Sequence, residues 1–249
     1  MRYFLFFVFC FFSPIILADN SIRVPVLTYH NFDPSVPGSM TISTARFEEQ
    51  LKWLKENGYT VIPLKQLVSY LQGQSATLPP KSVVITADDG RESVYKYMLP
   101  LVRKYNIPVT LFVYPSAISN ASYAMTWKQL KELQQTGLFD IQGHTYWHPN
   151  FNQEKKHLSK NAYQELVQVQ LVKSKKVLEE KLSTPITLLA WPYGIYNPYL
   201  EQQAAKAGYT VAFSVDDGCT NKAEKMMLQP RYTITDKYSM RAFAKIMKC

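Results

Sequence analysis

Histidine is scarce here, with four among 249 residues, and only three cysteines accompany it. So little cysteine excludes a small scaffold stapled by disulfides. Nine glycines without a three-residue period exclude a collagen-like chain. No internal repeat or low-complexity tract is present, so a solenoid and an extended disordered region are excluded too. The most apolar stretch, residues 3 to 17, is short for a membrane span and contains Pro14. No basic run is interleaved with aromatics. The net charge is nonetheless +9, or +8 without Arg2. The lysines are spread along amphipathic segments, the pattern of a solvated face, so a nucleic-acid role has no motif behind it. A basic exported protein would favour anionic envelope surfaces.

What is present is ordinary for a globular protein: 47% hydrophobic and 19% charged residues. The length suits one α/β domain with a large buried core. The N-terminus stands apart. Met1-Arg2 precedes the apolar stretch, and Ala18 is followed by polar Asp19-Asn20-Ser21. This pattern predicts a signal peptide over residues 1–18 and a single domain over 19–249. The other reading is an uncleaved membrane anchor. Shortness and Pro14 favour cleavage, leaving no stable membrane span in the mature chain. The expected location is outside the cytoplasm, in the periplasm or beyond the cell. Cys10 would leave with the signal. Cys219 and Cys249 would remain in an oxidising compartment, either as a disulfide or as two free thiols, since sequence cannot place their Cα atoms.

Along the chain, short apolar runs alternate with amphipathic segments. Strands are predicted at Val24–Tyr29, Ser82–Ala87, Pro108–Val113, Phe139–Gln142, Ile186–Ala190 and Tyr209–Phe213. Helices are predicted at Arg46–Asn57, Leu64–Leu71, Ser93–Tyr105, Asn161–Leu182 and Pro198–Ala207. An adjustment is expected at Pro100. Another helix, capped by Thr126 with Gln129 at the capping-box position, runs to about Thr136. Strand and helix alternate throughout, which implies a parallel sheet, open or closed into a barrel.

The polar motifs are not scattered. Tyr29-His30, Asp88-Asp89, His144 to His148 and Trp191-Pro192-Tyr193 each follow the C-terminal end of a predicted strand. In an α/β barrel those ends share one face, and that face carries the chemistry. His144 and His148, four residues apart, can present two imidazoles to one metal. They can equally be unrelated surface or capping histidines. Asp88-Asp89-Gly90 can be a turn. It can also supply one carboxylate to a metal and one as a free base. Two imidazoles and a carboxylate together make a three-ligand catalytic zinc site.

Thr86-Ala87-Asp88-Asp89-Gly90, His144-Thr145-Tyr146-Trp147-His148 and Trp191-Pro192-Tyr193-Gly194 resemble, in order, the motifs of the polysaccharide deacetylase family (NodB-homology, carbohydrate esterase family 4). Val24 to Asn31 resembles the subgroup acting on poly-β-1,6-N-acetylglucosamine. The resemblance spans about Val24 to Ile234. It implies a distorted (β/α) barrel with about seven parallel strands. It implies a metal triad of Asp89, His144 and His148 and a catalytic base at Asp88. It also implies an oxyanion donor at the Tyr193 backbone N–H. Trp191 and Pro192 would form one wall of a sugar groove, with Tyr146, Trp147 and Trp191 stacking on sugar faces, although at 14% aromatics most rings must be scaffold. Zinc is expected from the mixed ligands, with cobalt, nickel or iron fitting the same set.

Three departures stand out. Leu228-Gln229-Pro230-Arg231 lacks the histidine that many relatives carry there as general acid, so His30 takes that role by resemblance to the subgroup, or else is a buried histidine bonded to backbone. Ala190 stands where many relatives place an arginine that orients the base, so Asp88 needs a partner that sequence does not name. Ala87 replaces a phenylalanine. Asp216-Asp217-Gly218 reads as a turn. The leading expectation is hydrolysis of N-acetyl groups on an envelope or extracellular N-acetylglucosamine polymer. An O-acetyl esterase and a glycan-binding module are the alternatives.

Overall fold

The computed structural model describes residues 22–35, 38–75 and 77–249. The signal-peptide reading of residues 1–18 lies outside the described residues. In chain order the elements are β1 (Val26–Tyr29), β2 (Asn31–Asp33), β3 (Thr41–Ser43), α1 (Thr44–Glu56), β4 (Thr60–Val61), α2 (Leu64–Leu71) and β5 (Ser82–Asp88). A π-helical turn at Val94–Met98 leads into α3 (Leu99–Tyr105), then β6 (Val109–Val113), α4 (Trp127–Gln135), β7 (Phe139–Gly143), α5 (Phe151–His157) and α6 (Lys160–Gln168). A second π-helical stretch, Val169–Lys173, joins α6 to α7 (Ser174–Leu182). The remainder is β8 (Leu188–Ala190), α8 (Pro198–Lys206), β9 (Val211–Phe213), β10 (Tyr232–Thr233) and α9 (Met240–Ile246).

Seven strands form one curled parallel sheet in the order β10-β1-β5-β6-β7-β8-β9, with β4 pairing β5 off that path. The expected barrel-like sheet is therefore found. All residues of β5 and β6 are buried, as they must be when helices cover one face of a parallel sheet and the curl encloses the other. Alternation along a strand separates the two faces. Val83, Ile85 and Ala87 pack with the helices, while Val84 packs inward with Val26, Phe112 and Phe213. The inward column of β5 is thus Val84, Thr86 and Asp88. Thr86 Oγ1 lies 3.1 Å from Oγ1 of Thr28, its register partner on the adjacent strand β1, and Asp88 ends the column.

The edges β9 and β10 are laced together by the chain between them. Ala212 N–H donates to Met226 O, Gln229 N–H to Ala212 O and Ser214 N–H to Gln229 O. The chain then enters β10, which pairs with β1 through Leu27 and Tyr232. Cys219 and Cys249 form a disulfide, which resolves the open question about these two residues and ties this connection to the far side of α9.

Local structure follows local chemistry where it was legible. Thr126 and Gln129 form the expected capping box on α4. Pro100 is near the start of α3, and the turn before it widens, with Leu99 N–H reaching Val94 O, because proline has no N–H to offer a regular ladder. The helix expected over Asn161–Leu182 is present but carries the π-helical stretch in its middle. α5, α9 and the short strands β2, β3, β4 and β10 were not anticipated.

Candidate active site

The strand ends gather the motif residues around a cavity of about 390 Å³ whose wall includes His30, Asp88, Asp89, His144, His148 and Tyr193. Nε2 of His144 and Nε2 of His148 each lie 3.8 Å from Asp89 Oδ1. One ligand atom from each of the three residues lies within 4.8 Å of the others, a spacing that fits a single divalent ion held by two imidazoles and a carboxylate. The predicted triad is thus brought together. Each ligand has a support. His144 Nδ1 sits 2.8 Å from Ala190 O. A carbonyl can only accept, so Nδ1 carries the proton and Nε2 keeps its lone pair. Arg91 Nε donates to Asp89 Oδ2 at 3.2 Å, leaving Oδ1 toward the histidines. Burial, with the neighbouring His144 second, pushes the His148 pKa down to about 4. The ring is therefore neutral at pH 7.

The backbone here is unusual. Asp89, Thr145, His148 and Tyr193 all have φ between +55° and +75°, a region that non-glycine residues rarely adopt and that costs about 1–3 kcal/mol each where it is sustained. Strand alternation would turn Asp89 away from the side of Asp88; the left-handed φ interrupts it, and both carboxylates line the one cavity. At motif three, Gly194 N–H donates to Trp191 O and Ile195 N–H to Pro192 O. This tight turn lies beside the triad, with the Tyr193 ring 4.5 Å from that of His148 between centroids. Gly194 has φ +66°, and a Cβ there would meet Val215 Cγ2 at 2.5 Å, so the turn needs glycine.

Asp88 has the partner that sequence reasoning did not name. Arg231, fully buried, donates from Nη1 and Nη2 to Asp88 Oδ1 and Oδ2 at 3.1 and 2.8 Å. Its Nε donates to Ser214 O at 2.9 Å, and its guanidinium lies over the Phe112 ring at 5.3 Å. The fork is fixed on every side. Burial opposes ionisation of Asp88, but Arg231, His144 and His30 overcome it and bring the pKa down to about 2. The only sequence signal was an arginine in the very stretch noted for its missing histidine.

His30 borders the cavity, and its Nδ1 is buried without a partner. Burial lowers its pKa, with Asp88 and Asp89 pulling the other way. The turn between the two motif-two histidines is fastened from behind by residues that sequence reasoning missed. Gln170 Oε1 accepts from the N–H groups of Tyr146 and Trp147 at 2.9 and 3.0 Å. Ser174 Oγ donates to Thr145 O at 2.7 Å. Gln170 belongs to the π-helical stretch, a feature that often marks functional sites.

The aromatic expectations divide. Trp147 is 42% exposed and borders a second hollow beside the triad. Trp191 is fully buried: its indole packs on Phe151 and its Nε1 donates to Met227 O. It nonetheless lines the catalytic cavity, so, followed by buried Pro192, it belongs to the wall of that cavity rather than standing as an exposed ring. Tyr146 borders neither hollow, and Lys173 covers its ring at 4.4 Å, so its expected place in the groove is not found. Asp216 belongs to a turn, bonded by Tyr196 and by the Arg231 N–H.

Comparison with known proteins agrees with this geometry. The polysaccharide deacetylase family model matches residues 75–212. The poly-beta-1,6-N-acetyl-D-glucosamine N-deacetylase of Staphylococcus aureus (strain MRSA252) is 28% identical over 200 residues, covering 79% of this chain and 68% of the relative. The structure of Streptococcus pyogenes deacetylase PplD in complex with acetate is similar at TM-score 0.80 and 25% identity, covering 91% of this chain and 99% of that one. IcaB from Ammonifex degensii is similar at TM-score 0.79 and 25% identity, covering 91% and 97%.

Proposed function

The chain belongs to the polysaccharide deacetylase family, hydrolases that act on the N-acetyl groups of glycans, and from that premise we propose that it is a metal-dependent, exported N-deacetylase of a poly-N-acetylglucosamine polymer. One observation carries this reading. Asp89, His144 and His148 converge on one point, while a second carboxylate, Asp88, is held beside them by Arg231 and kept out of the cluster.

Asp89, His144 and His148 would hold the ion. A divalent ion supplies Lewis acidity, acidifying water and polarising an acetyl carbonyl. Asp88, ionised at neutral pH, accepts the proton of the attacking water, and Arg231 keeps its oxygens in place as it does so. The Tyr193 N–H, presented by its left-handed turn, donates to the oxygen on which charge develops. His30, neutral at rest, takes up the proton during turnover and delivers it to the leaving nitrogen. The acetyl C–N bond breaks, and acetate and a free amine leave. The glucosamine polymer as substrate is favoured by the relative named for poly-beta-1,6-N-acetyl-D-glucosamine. The disulfide fits an oxidising compartment, and among the described residues no helix is long and apolar enough to cross a membrane.

The test is acetate release from β-1,6- and β-1,4-linked N-acetylglucosamine oligomers, with and without zinc, by the wild type and Asp88→Asn. Zinc-dependent release that the substitution abolishes is expected, with preference for the β-1,6 linkage. No release from either oligomer with any divalent ion would overturn the reading.

A further inference from the structure

Asp88, Asp89 and His144 each have a side-chain support, from Arg231, Arg91 and the Ala190 carbonyl. His30 differs. Its Nδ1 is buried with no partner among the described residues. A ring that no bond at Nδ1 orients takes its position from the backbone on either side. Upstream, that backbone is β1, which pairs with β5 as far as Tyr29 and Ala87. The Tyr29 hydroxyl also donates to Gln50 Oε1 at 2.8 Å. Downstream, the chain leaves the sheet, and the next two residues meet one serine.

Ser93 Oγ donates to Asn31 Oδ1 at 2.7 Å and accepts from the Phe32 N–H at 3.1 Å. Asn31 Nδ2 donates to Thr41 Oγ1 at 3.0 Å, so its amide is engaged at both ends. Its backbone N–H donates to the carbonyl of Met40, which borders the catalytic cavity. Ser93 stands at the N-terminus of the π-helical turn, a place where serine ordinarily accepts from the helix that it begins. It makes no such bond here. Its hydroxyl turns instead to a segment 62 residues away. The stretch between Asp89 and Ser93 is itself fastened, with Met125 N–H donating to Gly90 O and Glu92 N–H to Tyr123 O.

We infer that Ser93, through Asn31 and the Phe32 N–H, is a positioning residue for His30, tying the backbone just after the histidine to the segment that carries Asp89. The inference rests on the acid role of His30 and adds to it two side chains that do not line the catalytic cavity. Its chemical consequence is selective. When the acetyl C–N bond breaks, the electron pair goes to nitrogen, which leaves as an amine by taking a proton from the imidazolium. When 4-nitrophenyl acetate is cleaved, the electron pair goes to a stabilised phenolate that leaves without a proton. Both reactions would use the same water, base and ion. A displaced His30 therefore slows the amide reaction and largely spares the ester, and a misplacement of about 1 Å can cost about 100-fold.

The zinc-supplemented protein, assayed for kcat/KM of acetate release from N-acetylglucosamine oligomers and from 4-nitrophenyl acetate, tests this. His30→Gln should lower the amide reaction about 100-fold and the ester reaction far less. Ser93→Ala and Asn31→Ala should each lower the amide-to-ester ratio about tenfold. Ser93→Thr, which keeps the hydroxyl, should restore most of it. A serine that only holds the fold together would move both reactions equally or neither. Either result in Ser93→Ala and Asn31→Ala, beside a lowered ratio in His30→Gln, would overturn the inference and leave the acid role standing. An unchanged ratio in His30→Gln would overturn the acid role and the inference with it. Melting temperatures show which variants fold, and if Ser93→Ala does not, Asn31→Ala decides.

Discussion

Replacing Arg231 with methionine should cost about 3–5 kcal/mol of stability at pH 7, because it leaves a charged carboxylate buried without its partner. The structure sets the size of the effect. The Arg231 side chain is 0% exposed and that of Asp88 is 2%, so water replaces nothing that is lost. Two charge-assisted bonds to Asp88 disappear, together with those to Ser214 O and Thr86 Oγ1. Methionine fills part of the volume between Phe112 and Phe213, so the loss is electrostatic more than steric. For a chain of this length the cost corresponds to a fall in melting temperature of about 6–20 °C. The decisive assay is a double-mutant cycle. Asp88→Asn alone leaves the guanidinium buried and unpaired and should also destabilise. Arg231→Met with Asp88→Asn removes both charges and should cost clearly less than the sum, with a coupling approaching about 3 kcal/mol. Metal affinity should survive Arg231→Met, since Arg91 and the Ala190 carbonyl support the triad separately. Additive single effects, within about 0.5 kcal/mol, would refute the claim that the two side chains act as one unit.

Gln170→Leu removes the acceptor for two N–H groups of the histidine turn, and zinc affinity should fall about 10–100-fold in chelator competition, with Gln170→Glu, which keeps an acceptor, recovering most of it. Gly194→Ala should cost about 1–3 kcal/mol through its left-handed φ, plus a clash with Val215 that Gly137→Ala, at φ +71° in open space, lacks. Comparing the two melting temperatures isolates the contact, and only Gly194→Ala should reduce acetate release. Asp236 has its pKa lowered, first by the Ser43 hydroxyl and then by the Ser43 N–H. Its contribution is therefore present above the ordinary carboxylate pKa of about 3.9 and lost as pH falls through the folded value. Asp236→Asn should shrink the difference in denaturant midpoint between neutral and acidic pH, and an unchanged difference would sink that assignment.

Most of what sequence revealed about the fold was periodic or chemical at short range. β5 is one apolar run ending at Asp88, α2 has the bounds its pattern predicted, and Thr126 with Gln129 signals its own capping box. The triad was legible because all three motif segments follow strand ends, which a parallel sheet brings to one face. Arg231 was not, because it lies 143 residues from Asp88 and reaches it only when β10 pairs with β1. Gln170 was hidden for a related reason. On an ideal α-helix it is one polar residue among several, and its direction is set by the π-helical stretch. Gly90 and Gly194 announced turns beside Asp89 and Tyr193 but not the left-handed φ of those residues themselves, and no glycine stands beside His148. The depth of Trp191 was not legible, because an aromatic within a motif reads the same whether its ring stands exposed or is buried in the wall of a cavity.

The lacing of β9 to β1 by residues 226–233 also bears on the order in which the protein becomes competent during synthesis. A nascent chain that has reached residue 225 already contains both aspartates, both motif-two histidines and the Tyr193 turn, yet lacks Arg231 and one half of the disulfide. In such a chain Asp88 would meet a closing apolar interior with no countercharge, which favours leaving the barrel open. On the proposed roles, the candidate metal ligands are complete early, while Asp88 gains its countercharge late, from the segment that shuts the sheet. Truncations before and after residue 231 would separate a chain that can collect an ion from one that can use it.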